Sequence, residues 1–294
     1  MAPLVLTDYD FFKEIETYLK NEQEVEKTFE PVSTSEACDS FKKDYDFEKV
    51  INPEIICKKF KNLFNTLSSF KRNLQSSAYY DNDCRFINYW LNDKLRHDGI
   101  NDSNYVKKFY DKLKEDNAFD KKKLLNDKIY DINYVDLKNL RVLYNLYDNL
   151  YKITAIIGNK PVSKSYTCAY YTSTCVEEYK EAKILCNDES STFWGALNNF
   201  RDSYLSVKND PNDEKGCHLN TSGKLPTDQE ILSYRSIVLG GKRPWTKDKI
   251  RKLIKGGSNK NEWENQLIHS DIEKKKVHLD KDKYNIEYRS GGNL

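Results

Sequence analysis

NPEIICKKFKNLFNTLSSFKRNL (52–74) decides how this chain is read. Ile56, Phe60, Leu63, Leu67, Phe70 and Leu74 recur at alternating intervals of four and three. That spacing draws an apolar stripe down one side of an α-helix that has a neighbour along its length. Asn52 stands where a helix cap belongs, and Pro53 suits the first helical position, whose N–H has no intrahelical partner. The pattern predicts one helix running from Pro53 through Leu74.

The same periodicity extends in both directions. Phe11, Phe12, Ile15, Tyr18 and Leu19 share a face over residues 8–20. In CRFINYWLNDKLR (84–96), Cys84, Ile87, Trp90, Leu91 and Leu95 form a stripe, with Asp83 expected as the N-cap. Shorter helices are expected at 102–115 and around 121–131. Residues 134–157 carry two seams, one through Leu137, Leu140 and Tyr144 and another through Leu143, Leu146, Leu150 and Ile153, so this helix is expected at the centre. Gly158 and Pro161 end it. Helices are expected again at 174–187 and 191–208, and Thr227-Asp-Gln-Glu230 matches a capping box opening a helix that Gly240-Gly241 terminates. Alternating runs of strand length are absent, so the fold class is all-α: a multi-helix bundle.

Composition agrees. The 294 residues include only 11 Gly and 7 Pro, against turn-rich β-architecture, and 13% aromatics offer enough large apolar surface for a core despite a mean hydropathy of −0.82. Lys, Asn and Tyr together make 88 residues while Arg numbers nine; all three have A/T-rich codons, so abundant Lys says little about chemistry. The apolar run Pro3–Leu6 is too short for a signal-peptide core, and no stretch approaches the roughly 18–20 apolar residues of a spanning helix. Acids outnumber bases 13 to 6 over residues 1–50, while residues 242–260 hold 8 bases and one acid. A packed core over 1–240 and a basic segment over 241–294, partly helical and partly disordered, are expected.

Seven cysteines are present: Cys38, Cys57, Cys84, Cys168, Cys175, Cys186 and Cys217. Neither they nor the four His fall at zinc-site spacings, and no metal or other cofactor is expected. Each Cys is either a small buried apolar residue or half of a disulfide, and an odd count leaves at least one without an intramolecular partner. Cys175 and Cys186 lie on one helical face but about 16 Å apart along the axis, so they cannot bridge each other; if oxidised, each must reach a different element. Phosphate-cradling loops, the G-x-S-x-G elbow and H-E-x-x-H are all missing, so no enzyme is expected. The stretch 242–255 reads most simply as a solvated helix. Its functional alternative is contact with an anionic membrane surface through Lys242, Arg243, Lys247, Lys249, Arg251, Lys252 and Lys255; nucleic acid is not an expected partner.

Several blocks, in order, resemble the Plasmodium interspersed repeat (PIR/VIR) family of malaria-parasite variant antigens. These are DYDFFKEIETYL, Cys38 with Cys57, SFKRNLQ (69–75) and the most specific block, CRFINYWLNDKLR (84–96). Cys175-x-x-x-Tyr179-x6-Cys186, FWGALNNFRDSY (193–204), Cys217 and YNIEYRS near the end continue the series. Where the family places a Cys after Phe193 this chain has Trp194, and Cys168 is additional. In place of the spanning helix of many members stands ILSYRSIVLGG (231–241). The resemblance implies a disulfide-cross-linked antigen exported to the infected host cell, an erythrocyte, at its cytoplasm, membrane or surface. There it would bind a host protein or receptor, evade immunity, or both. The alternative expectation is an exported or internal scaffold or trafficking protein that is not displayed.

Overall fold

The protein is described from a computed structural model over residues 9–27, 36–72, 78–96, 104–162, 166–186, 188–207 and 213–240. It divides into two units, Met1–Ile231 and Leu232–Leu294, the second described only along the last turns of one helix. The fold is all-α, with ten α-helices and no strand among the described residues. They are α1 (Ile15–Lys27), α2 (Glu36–Asp39), α3 (Pro53–Thr66), α4 (Ser68–Arg72), α5 (Ala78–Leu95), α6 (Tyr105–Leu113), α7 (Tyr134–Ile157), α8 (Cys168–Leu185), α9 (Thr192–Leu205) and α10 (Asp228–Gly240). Single 3₁₀ turns at Asp10–Glu14, Ser40–Lys43 and Tyr45–Phe47 complete the regular structure.

The double seam of α7 explains its place. Leu137, Leu140, Leu143, Leu146, Leu150 and Ile153 are all buried, and the helix packs on α8 above all and on α9, α5 and α1. At roughly 1.5–3 kcal/mol per fully buried large apolar side chain, this helix is a major contributor to the core, as is α5 with Phe86, Ile87, Trp90 and Leu91. Asn133 caps it by accepting the Asp136 N–H, and Gly158 closes it before Asn159 turns left-handed (φ 54°). Around it α1, α5 and α7 are tied by one carboxylate: Glu22 accepts from Trp90 Nε1 (3.0 Å), Tyr144 Oη and Lys94 Nζ (3.0 Å).

The helix expected over 53–74 is interrupted. α3 stops at Thr66, Leu67 is extended (ψ 129°), and α4 restarts at Ser68. The stripe survives the break, since Phe60, Leu63, Leu67 and Phe70 are all buried and Phe64 stacks on Phe70 at 4.8 Å. Two things break the backbone: the Ser68-Ser69 pair, a poor helix interior, and a carboxylate from elsewhere that satisfies the restarted N-terminus. Asp83 accepts from Ser69 N (3.1 Å), Ser69 Oγ (2.5 Å) and Tyr18 Oη (2.8 Å). Asp83 is therefore not the N-cap of residues 84–96; α5 already begins at Ala78, and this acid caps α4 from across the interface. Asn52 likewise makes no side-chain cap but takes the left-handed conformation (φ 53°) that turns the chain into Pro53.

Residues 121–131 are not the expected helix. Asp120, Lys123 and Asp127 are left-handed, and the Asp120 carboxylate accepts the Leu124 and Leu125 N–H groups. Local side-chain bonds of Asp and Asn outcompete a helical ladder here. The chain then runs alongside α5, read by a polar stripe on that helix. Asn88 Oδ1 accepts Tyr130 N (3.0 Å), Asn92 Oδ1 accepts Ile132 N (2.9 Å), Asn92 Nδ2 donates to Tyr130 O (2.9 Å), and Arg96 donates to Ile132 O. Asp131 in turn caps α6, accepting from Val106 and Lys107 N–H. α8 begins at Cys168, six residues before the expected start, capped by Thr167. The Thr227/Glu230 capping box forms as expected, with Thr227 N donating to Glu230 Oε2 (2.7 Å) and Glu230 N to Thr227 Oγ1 (3.3 Å).

Candidate functional site

Two disulfides staple the helical body. Cys38–Cys57 joins α2 to α3 with Cα atoms 5.5 Å apart, and Cys168–Cys217 joins the start of α8 to the loop before α10 (Cα–Cα 4.6 Å). That loop is built around Asp213, whose carboxylate accepts Cys217 N (2.7 Å), His218 N and His218 Nδ1 (2.6 Å). These contacts outweigh burial, which alone would raise it, and hold the Asp213 carboxyl below its ordinary range. Gly223 packs so closely that a Cβ would lie 2.9 Å from the His218 carbonyl, and Tyr204 Oη donates to its oxygen (2.6 Å).

The remaining disulfide candidates, Cys84, Cys175 and Cys186, are not bridged. Burial pushes the Cys84 thiol up to about 12 and raises Cys175 well above the ordinary thiol value, which disfavours the reactive thiolate at both. The Cys175 thiol points to the Leu146 carbonyl (3.7 Å) inside the α7–α8 interface. Cys186, half-buried at the end of α8, lies 3.4 Å from Ser191 Oγ. The basic residues Lys242, Arg243, Lys247, Lys249, Arg251, Lys252 and Lys255 fall outside the described residues. Among the described residues no group of His, Cys, Asp and Glu is placed to hold a metal, and no helix is long and apolar enough to cross a membrane.

Trp194, standing where a Cys was expected, covers a buried lysine. Lys183 is wholly inaccessible; its ammonium sits 3.3 Å from the centre of the Trp194 ring, 2.5 Å from Asn198 Oδ1 and 3.4 Å from Asp228 Oδ1. Arg201 holds the other Asp228 oxygen at 3.0 Å. Burial lowers the Lys183 pKa, and the Asp228 carboxylate offsets this only in part. Burial also works to raise Asp228, but Lys183 and Arg201 together hold its carboxyl below the ordinary value. The network pins the first turn of α10 to α8 and α9. It was not legible beforehand, because Lys183 reads as one more Lys in a Lys-rich chain.

An open groove of about 1060 Å³ lies on the surface of the first unit. Its walls are the opening 3₁₀ turn with the start of α1, one face of α7 and the outer face of α9. Phe12, stacked on Tyr147 at 5.3 Å, and Tyr151 form its apolar part; Asn199, Ser203 and Thr154 supply hydroxyl and amide groups. Gly195 belongs to the same wall, and a Cβ there would meet nothing within 4 Å, so the missing side chain leaves the groove open. The sequence had marked several of these residues as helix faces without showing that three elements leave a trough between them. Comparisons with protein-family models, with curated proteins and with solved structures find no match.

Proposed function

We propose that this chain is a non-enzymatic binding protein: an exported variant antigen of an infected host cell, engaging a host protein or evading immunity through its outer surface. The observation that carries the reading is the open groove on a disulfide-tied helical body. Its wall mixes rings with hydroxyls, amides and carboxylates, the composition of a contact surface whose ligand stays partly in solvent. The two disulfides support an oxidising destination. The host and the variant-antigen role rest on the sequence resemblance alone. Binding of the purified protein to an array of host-cell surface proteins, together with labelling of intact infected cells, tests it. A specific host ligand and surface labelling are expected. Uniformly negative binding, with the protein protected from protease on intact cells, would replace this reading by that of an internal scaffold.

A further inference from the structure

We propose that the groove between α1, α7 and α9 takes a cationic peptide segment, with Lys or Arg side chains set between apolar ones. The inference rests on the binding reading above and names the partner's chemistry.

Charge points the same way as shape. Four carboxylates line the groove, Asp10, Glu14, Glu16 and Asp202, against one ammonium, Lys13. Lys13 is committed to Asp10 at 3.1 Å, while Lys20, outside the lining, reaches Glu16 at 3.7 Å across exposed side chains. Arg201 touches Asp202 at 3.6 Å but lies closer to Asp228, at 3.0 Å. Exposed pairs of this kind are weak and exchange readily for a better-placed cation. Glu14 is half-buried and forms no ion pair among the described residues. An incoming guanidinium or ammonium therefore meets carboxylates at Glu14 and Asp202 and the ring of the half-buried Tyr151, which attracts cations in its own right. An anionic ligand meets the same carboxylates as repulsion.

Length is also defined. The α9 wall runs from Thr192 to Val207, about 22 Å at ~1.5 Å per residue, which matches about six or seven residues of extended peptide. Gly195, within the first turn of that wall, opens its N-terminal end to a side chain from the partner.

The test is fluorescence anisotropy of the full chain, disulfides intact, with two libraries of labelled seven-residue peptides. In one, Lys and Arg alternate with Leu and Phe; in the other, Asp and Glu do. Cationic peptides are expected to bind and anionic ones not to, with affinity falling about tenfold between 50 and 300 mM NaCl. Glu14→Gln with Asp202→Asn is expected to weaken binding about tenfold, and Gly195→Trp to abolish it while Gly195→Ala retains it. Circular dichroism checks that the variants fold; should Gly195→Trp fail, the carboxylate variant decides alone. Equal binding of both libraries, or binding that survives Gly195→Trp, overturns the inference. So does binding of neither library, and in that case the host-protein array separates the two conclusions: a captured host ligand leaves the binding reading standing, whereas an empty array removes both.

Discussion

Replacing the buried ammonium of Lys183 should cost less than removing the carboxylate that faces it. Lys183 is fully buried, so desolvating its charge is expensive; the compensation comes from Asn198, the Trp194 ring and Asp228. Asp228 is half-exposed, with 51% of its side chain in solvent, and keeps Arg201 at 3.0 Å. Lys183→Met retains the aliphatic stem under Trp194 and strands no buried charge, so its effect is expected within about 1 kcal/mol of zero. Asp228→Asn leaves the ammonium buried with a neutral neighbour. Breaking a buried pair costs about 3–5 kcal/mol, and the exposure of Asp228 and the contacts Lys183 keeps reduce this to about 2. The double variant should resemble Lys183→Met, giving a coupling of about 2 kcal/mol. Urea unfolding followed by circular dichroism at pH 7 measures all four proteins. The pH dependence has a fixed sign. Asp228 has a depressed native pKa, so its contribution is present above the unfolded carboxyl value of 3.8 and is lost as pH falls through the lower native value. The cost of Asp228→Asn should therefore shrink only in strongly acidic solution. A Lys183→Met variant destabilised by more than about 3 kcal/mol, or a harmless Asp228→Asn, would refute the assignment of the burial cost to the lysine.

Three further outcomes follow from the packing. Loop-closure entropy for sequence separations of 19 and 49 makes Cys38–Cys57 worth about 3 kcal/mol and Cys168–Cys217 about 4, so paired Cys→Ala variants should lower the urea midpoint in that order. Asn92→Ala removes the partners of Ile132 N–H and Tyr130 C=O in a buried setting and should cost about 2–4 kcal/mol, with amide exchange accelerated at Ile132. With its thiol pushed up to about 12, Cys84 carries a thiolate fraction of about 10⁻⁴ at pH 8, so iodoacetamide should modify Cys186 in the native protein while Cys84 and Cys175 react only after unfolding.

What the sequence made legible is what local pattern controls. The double seam of 134–157 and the Thr227/Glu230 capping box each depend on residues within one or two turns, and each stands where the pattern put it. What stayed illegible was set by residues far away in the chain. The stripe from Ile56 to Phe70 is real, but a carboxylate at position 83 decides that it is carried by two helices rather than one. The Asp120 turns replaced a helix because an extended stretch at 130–132 had partners waiting on α5. The cysteines divide in the same way: spacing excluded a Cys175–Cys186 bridge, but only the fold shows Cys168 beside Cys217 and Cys175 facing a backbone carbonyl. The groove is harder still to foresee, because it exists only between three helices.

Two particular bonds hold the helical body together, and a peptide map of the native protein, alkylated and digested without reduction, tests them most directly. The expected map contains a Cys38–Cys57 peptide pair and a Cys168–Cys217 peptide pair, with Cys84, Cys175 and Cys186 recovered as alkylated thiols. Recovery of all seven cysteines in alkylated form, or of a bridge through Cys175 or Cys186, would contradict it.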